Sequence, residues 1–252
     1  MERPVPLKTS ADVARIGLAC KTAVSILDRL EALIAPGVET RMLDAAAREM
    51  MDAAGARPAV AVGFPASICT SVNEVAAHGL PSGQVLMEGD LVSVDVSLIL
   101  EGWCSDAART FAVGTPGDGR RRLLEASRSA LDAGVAALRA GAHLGDVGAA
   151  VVREASRFGC TVIPDLVGHG IGRALHEEPQ VFHTGRSGEG QRIIPGMVLT
   201  VEPALTLGTG RIVTRPDGWS LTTADGAPTA QFEHAVAVFL HRTEVLTAEL
   251  GR

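Results

Sequence analysis

Four carboxylates and one imidazole, from Asp95, Asp106, His169, Glu202 and Glu233, stand inside or at the end of short apolar, β-branched runs spread over more than half of the chain. Burying so many ionisable groups is costly unless they share a cationic partner. The fold must therefore leave them on wet faces or gather them around metal, and a two-metal hydrolytic site would gather them.

The sharpest local pattern lies between Leu91 and Leu98. Val92, Val94, Val96 and Leu98 alternate with Ser93, Asp95 and Ser97, the period of a strand with two distinct faces. Glu101-Gly102 supplies a turn, and the return strand brings Asp106 opposite Asp95 or Ser97, according to whether the loop has four residues or two. Either register leaves both aspartates on one face. A shared divalent cation would relieve their repulsion, although the same pair also fits a solvated sheet face.

The other three groups favour the metal reading. Glu202 follows the run from Met197 to Val201 and precedes Pro203, which stops a strand ladder. Glu233 falls in an expected strand from Phe232 to Leu240, on the face of Ala235, Ala237 and Phe239, where a glutamate needs a partner. Its neighbour His234 points the other way, as a core or supporting histidine. His169, read as a loop residue, sits between Gly168 and Gly170, which allow close backbone approach and leave the ring unobstructed. An oxygen-rich set with one histidine suits Mn, Fe, Co or Zn as divalent ions rather than a thiolate site.

A faint internal repeat suggests the architecture. The segment from Gly37 can be laid on that from Gly141, which also superposes Gly55 on Gly159. Both segments read as amphipathic helices, with Thr40, Leu43, Ala47 and Met50 on one face of the first and Leu144, Val147, Val151 and Ala155 on one face of the second. Another helix precedes each, near 9–35 and 118–140, and strand-rich stretches follow, so an α+β unit with the site between two halves is expected.

Composition narrows the classes. With 46% hydrophobic and 21% charged residues the chain is globular, and its apolar runs stay well short of the roughly 18 residues of a membrane span. The first twenty residues hold no apolar core of signal-peptide length, and Cys20, Cys69, Cys104 and Cys160 form no CxxC pair. A cytoplasmic protein with reduced thiols and no membrane partner is expected. A net charge of −6 argues against a nucleic-acid surface. The basic run Arg120 to Arg122 reads as a solvated helix start.

The segments SVDVSLILEGWCSDAARTF, GHGIG, LTVEP and AQFEHAVAV, with HGLP at His78 and HEEP at His176, resemble the type I methionine aminopeptidases from about Ser67 to Val238. Agreement of seven polar positions in type, order and spacing is far more specific than GHGIG alone. The resemblance implies the pita-bread fold: two pseudo-twofold related halves, about 9–115 and 118–250, around a central curved antiparallel sheet flanked by helices, in one catalytic domain over 1–252. It implies that Asp106 and Glu233 bridge two divalent metal ions, that Asp95 completes one and that His169 with Glu202 completes the other. A metal-activated water then attacks, with Glu202 handling its proton. His78 and His176 would line the cleft as substrate and catalytic groups, because amide hydrolysis needs a donor for the oxyanion and a proton for the leaving amine.

The same resemblance assigns a methionine pocket to Phe64, Cys69 and Trp219, with Ala61 and Leu175 standing where relatives usually carry aromatic residues. Those two departures fit either a widened pocket or drift that keeps the methionine preference, since aliphatic groups still bury a thioether. Expected substrates are N-termini of peptides and proteins whose second residue is small, ribosome-associated nascent chains among them, and the expected state is a monomer. Two alternatives remain. An Xaa-Pro-type aminopeptidase of the same fold usually carries an extra N-terminal domain, for which the segment before the first helix leaves no room. A non-catalytic peptide-binding relative would have lost ligands that are all present here.

Overall fold

Thr9 opens the first helix, α1 (Ser10–Glu31), with a reciprocal cap: the Asp12 N–H donates to Thr9 Oγ1 at 3.2 Å and the Thr9 N–H to Asp12 Oδ2 at 2.9 Å. Its buried stripe of Ala19, Ala23, Ile26, Leu27 and Leu30 packs with α2 (Thr40–Ala53) against the strands that carry the aspartates. The structure is a computed structural model and describes residues 4–60 and 63–248.

On α2 the buried face is Thr40, Leu43, Ala47 and Met51. Met50, expected on that face, sits at its edge, because steps of four residues carry the stripe from Leu43 through Ala47 to Met51. Helices α3 (Asp118–Ala137) and α4 (Leu144–Arg157) take the corresponding places in the second half of the chain, with Leu144, Val147, Val151 and Ala155 buried as expected. Gly37 and Gly141 enter the second helix of each pair at φ +94° and +90°. Gly55 and Gly159 leave it at +69° and +66°.

Among the described residues the strands pair only antiparallel, in one five-stranded and four three-stranded groups. Two long ribbons dominate. In the first, Leu91–Asp95 pairs with Ala108–Ala112, and Leu98–Leu100 with Trp103–Ser105, in one continuous register. Glu101 and Gly102 both have positive φ, 51° and 77°, which makes the two-residue turn and sets Ser97 beside Asp106. In the second, Val198–Val201 pairs with His234–Val238 and Ala204–Thr206 with Thr229–Gln231.

Each ribbon is interrupted once on each strand, at Val96–Ser97 and Asp106–Ala107 in the first and at Glu202–Pro203 and Phe232–Glu233 in the second. Three of the four carboxylates lie in these gaps and Asp95 borders one. The expected strand over 232–240 is therefore corrected to His234–Val238, with Glu233 just outside it. Freed from the ladder, the Glu233 N–H donates to Ala108 O at 2.9 Å, while Thr110 Oγ1 donates to Gln231 O at 2.7 Å, so the two ribbons are stitched together at the gaps.

Candidate metal centre

His169 lies in the strand Gly168–Gly170, not in the loop expected for it, between the strands Glu177–Val181 and Val198–Val201. Its glycine neighbours are required by contact. A Cβ on Gly168 would stand 2.4 Å from Thr200 O and one on Gly170 2.3 Å from Glu178 O. Gly170 O, at 2.9 Å, takes the Nδ1 proton, leaving Nε2 facing Asp106 at 3.5 Å and Glu202 at 3.6 Å.

Around this ring the other acidic groups converge. Ser97 Oγ donates to Asp106 at 2.8 Å and reaches Asp95 at 3.4 Å. Thr200 Oγ1 accepts the His169 N–H at 2.9 Å and donates to Glu202 Oε1 at 2.7 Å. Atoms of Asp106, His169 and Glu233 lie within 4.8 Å of one another, and all three residues are buried. All five groups line one cavity of about 610 Å³, which His78 and His176 also line. The wet-face alternative for the aspartate pair is excluded by the same burial: Ser93 and Thr110, on the Asp95 side of the ribbon, are enclosed and bonded to each other at 2.7 Å.

The site's electrostatics call for a cation. Burial, then the charges of Asp106 and Glu202, holds Asp95 and Glu233 well above the ordinary carboxylate range. Burial and the Asp106 charge carry Glu202 up to about 7 against the His169 charge. Burial would raise Asp106 too, but the hydrogen bond and charge of His169 keep it low. Burial opposes a charged His169, yet Asp106 and Glu202 carry it up to about 9. Glu233 Oε1 is buried without a hydrogen-bond partner, an orphaned acceptor of the kind a cation satisfies. Oxygen donors with one neutral imidazole fit a divalent metal.

A pH dependence follows. Glu202 and His169 have folded values raised above their ordinary 4.5 and 6.5. Each therefore contributes stability below its unfolded value and loses it as pH rises through the folded one. Below about pH 6.5 the lowered values of His183, His78 and His176 act in the opposite sense, so the melting temperature of the metal-free protein is expected to fall between about pH 6.5 and 9, with added divalent metal restoring most at the alkaline end. Calorimetry with and without chelator checks this, and a metal-free Tm that climbs across the window contradicts it.

His78 follows the strand Val75–Ala77 with φ 54°, turned outward by a left-handed backbone, while Gly79 is locked against Thr70 and Ser71. The His176 ring stands edge-on to His169, with centroids 4.4 Å apart. Burial lowers the pKa of both His78 and His176, which favours neutral rings. Beside them Phe64 and Trp219 meet edge to face at 5.3 Å, and Cys69 pairs with Asp95 across the sheet, so this wall adjoins the carboxylates. Leu175 lines the same cavity, and Ala61 lies outside the described residues.

Sequence reasoning left His183 without a task. It is buried, its Nε2 accepts the Glu202 N–H at 2.9 Å, and its Nδ1 donates to Leu166 O at 3.2 Å. Burial lowers it to about 4, consistent with the neutral tautomer this bridge needs. Nothing in the surrounding FHTG signals that role. Thr200 and Ser97, two residues from Glu202 and Asp95, were legible as same-face neighbours.

The model of metallopeptidase family M24 matches residues 14–239. The chain belongs to that family. A methionine aminopeptidase of Treponema pallidum is 44% identical over 245 residues, 96% of each chain. The crystal structure of methionine aminopeptidase from Rickettsia prowazekii, 35% identical, superposes with a TM-score of 0.95 over 97% of this chain and all of that one. Prolidase from Pyrococcus furiosus, at 22% identity and a TM-score of 0.80, shares the fold and is longer, 66% of it being covered. The architecture is the family's α+β pita-bread fold, and membership implies divalent metal. No described helix is long and apolar enough to cross a membrane.

Proposed function

We propose that this chain removes the N-terminal methionine from peptides and proteins whose second residue is small. The convergence of four carboxylates and His169 on one cavity, with Glu233 Oε1 unpartnered and the Phe64–Trp219 wall alongside, carries the reading. Asp106 and Glu233 would bridge two divalent ions, Co, Mn, Fe or Zn, with Asp95 on one and His169 and Glu202 on the other. Such ions supply Lewis-acid activation of water and an anchor for a free α-amine.

The remaining work belongs to the protein. Glu202, in the ribbon gap and lining the cavity, would accept the proton of the attacking water and pass it on. His78 and His176, neutral and facing the cavity, donate to the scissile carbonyl as it gains charge and to the departing amine. Phe64, Cys69, Trp219 and Leu175, with Ala61, hold the methionine side chain. The two histidines frame the adjacent cleft and keep the second residue small. We read residues 1–252 as one catalytic domain and a cytoplasmic monomer. Its four unpaired cysteines suit a reducing compartment, and nascent chains at the ribosome, a ready source of N-terminal methionine, are proposed as partners.

A hydrolysis screen of Xaa-Gly-Met and Xaa-Pro-Met peptides with Mn, Co, Fe and Zn tests the assignment, methionine being the first residue expected to be released fastest. Preference for an Xaa-Pro bond, or no hydrolysis by fully metal-loaded protein, would refute it. The same screen applied to Ala61→Tyr with Leu175→Phe reads the pocket. Sharper rejection of leucine and norleucine means the natural wall is opened, within the ~1–3 kcal/mol per methylene that a hydrophobic pocket can discriminate. Unchanged selectivity assigns both departures to drift.

A further inference from the structure

A buried ion pair outside the five-residue centre ties the N-terminal segment to the loop that carries His176. Lys8 Nζ lies 2.5 Å from Glu177 Oε2, with the two side chains 6% and 9% exposed. Desolvating such a pair opposes its attraction, so stability alone is a weak reason for it. Its hydrogen bonds point to another task. Glu177 Oε1 accepts the N–H groups of Arg173 at 2.9 Å and Ala174 at 3.2 Å, closing the loop from within. Lys8 donates from Nζ to Pro6 O at 2.5 Å and from its backbone N–H to Gly196 O at 2.7 Å, which anchors the cation on the opposite side.

The GHGIG motif is fitted to this clamp. A Cβ on its last glycine, Gly172, would stand 2.3 Å from Lys8 Cε and 2.8 Å from Glu177 Oε1. At the other end of the loop the Arg173 guanidinium lies over the Trp103 ring at 3.9 Å and donates to Gly102 O at 3.2 Å. Between these fixed points the loop presents Leu175 and His176 to the cavity.

We propose that Lys8 and Glu177 are positioning residues, which hold the 173–177 loop and through it the His176 ring in working register with the cleft. The inference rests on the reading of His176 given above. It follows from how steeply rate depends on placement, since a displacement of about 1 Å costs on the order of 10²-fold.

Lys8→Met keeps the aliphatic stem beside Gly172 and removes the charge. Its kcat on a Met-Gly-Met peptide is expected to fall roughly tenfold or more, while KM and bound metal change less than about twofold. In a His176→Ala background the same substitution is expected to cost nothing further, because the loop no longer carries a working ring. An unchanged kcat in the single variant, or an undiminished loss on top of His176→Ala, overturns the proposal. Glu177→Gln, which keeps an oxygen for the Arg173 and Ala174 N–H groups, passes through the same cycle and serves should Lys8→Met not fold. Amide exchange at Arg173 and Ala174 reads the clamp without turnover. It is expected to quicken roughly tenfold in Lys8→Met and to stay unchanged in His176→Ala. Unaltered exchange in Lys8→Met sinks the clamp. Faster exchange in a protein that never releases methionine sinks the functional reading and supports the clamp.

Discussion

Asp106→Ala and Glu233→Ala are each expected to reduce turnover by roughly 10³-fold or more and to strip the protein of bound metal. Asp106 is bonded by Ser97 and faces His169, and Glu233 holds the one carboxylate oxygen there that is buried without a partner. Removing either leaves the remaining carboxylates too few donors to pay for dehydrating two cations. The fold should survive Glu233→Ala with little loss, because that change removes a carboxylate opposed by burial and by the charges of Asp106, Glu202 and Asp95, whereas Asp106→Ala also removes the carboxylate that His169 and Ser97 favour and should lower the metal-free melting temperature. Metal per chain, turnover and metal-free melting temperature, measured together, check all three expectations. Full activity in a metal-free Asp106→Ala protein would end the two-metal reading.

Changing His78 or His176 to alanine is expected to slow hydrolysis by roughly 10²-fold or more with metal content near normal. The separation follows from placement. His176 touches the centre only through the edge of the His169 ring, and His78 reaches the cavity from a left-handed backbone position across the cleft. Both rings are pushed towards the neutral form by burial, the state that can donate from one nitrogen and accept at the other. Metal analysis beside kcat and KM distinguishes the roles. Loss of metal from either variant would make that histidine a ligand and redraw the centre.

The relation between these two classes of residue was visible in the chain to different degrees. Period-2 alternation around Asp95 announced a strand and its face, and the GHGIG glycines announced close packing around His169. Alternation could not choose between two registers, however. That choice needed positive φ at both Glu101 and Gly102, which then set Ser97, and not Asp95, beside Asp106. The strand expected over 232–240 also read too long at its start. Apolar residues continue smoothly through Phe232, and only the other ribbon, accepting the Glu233 N–H at Ala108 O, shows that the ladder opens there.

His183 marks the limit of such reading. A histidine between Phe182 and Thr184 carries no local signal, and its use depends on Glu202 and Leu166 arriving on opposite sides of one ring. Lys8 is the same case, since its partner Glu177 lies far along the chain.

By itself the sequence determined most of the helical stripes, the strand face around Asp95 and the glycine turns, because these depend on side-chain period and local backbone preference, and its motifs named the four carboxylates and His169 that line the cavity. Tertiary structure decided where the two ribbons break, which atoms of His169 and Glu233 are left for a cation, and how the His176 loop is braced. Those features are pairings between segments remote in the chain, set by packing that no local period encodes.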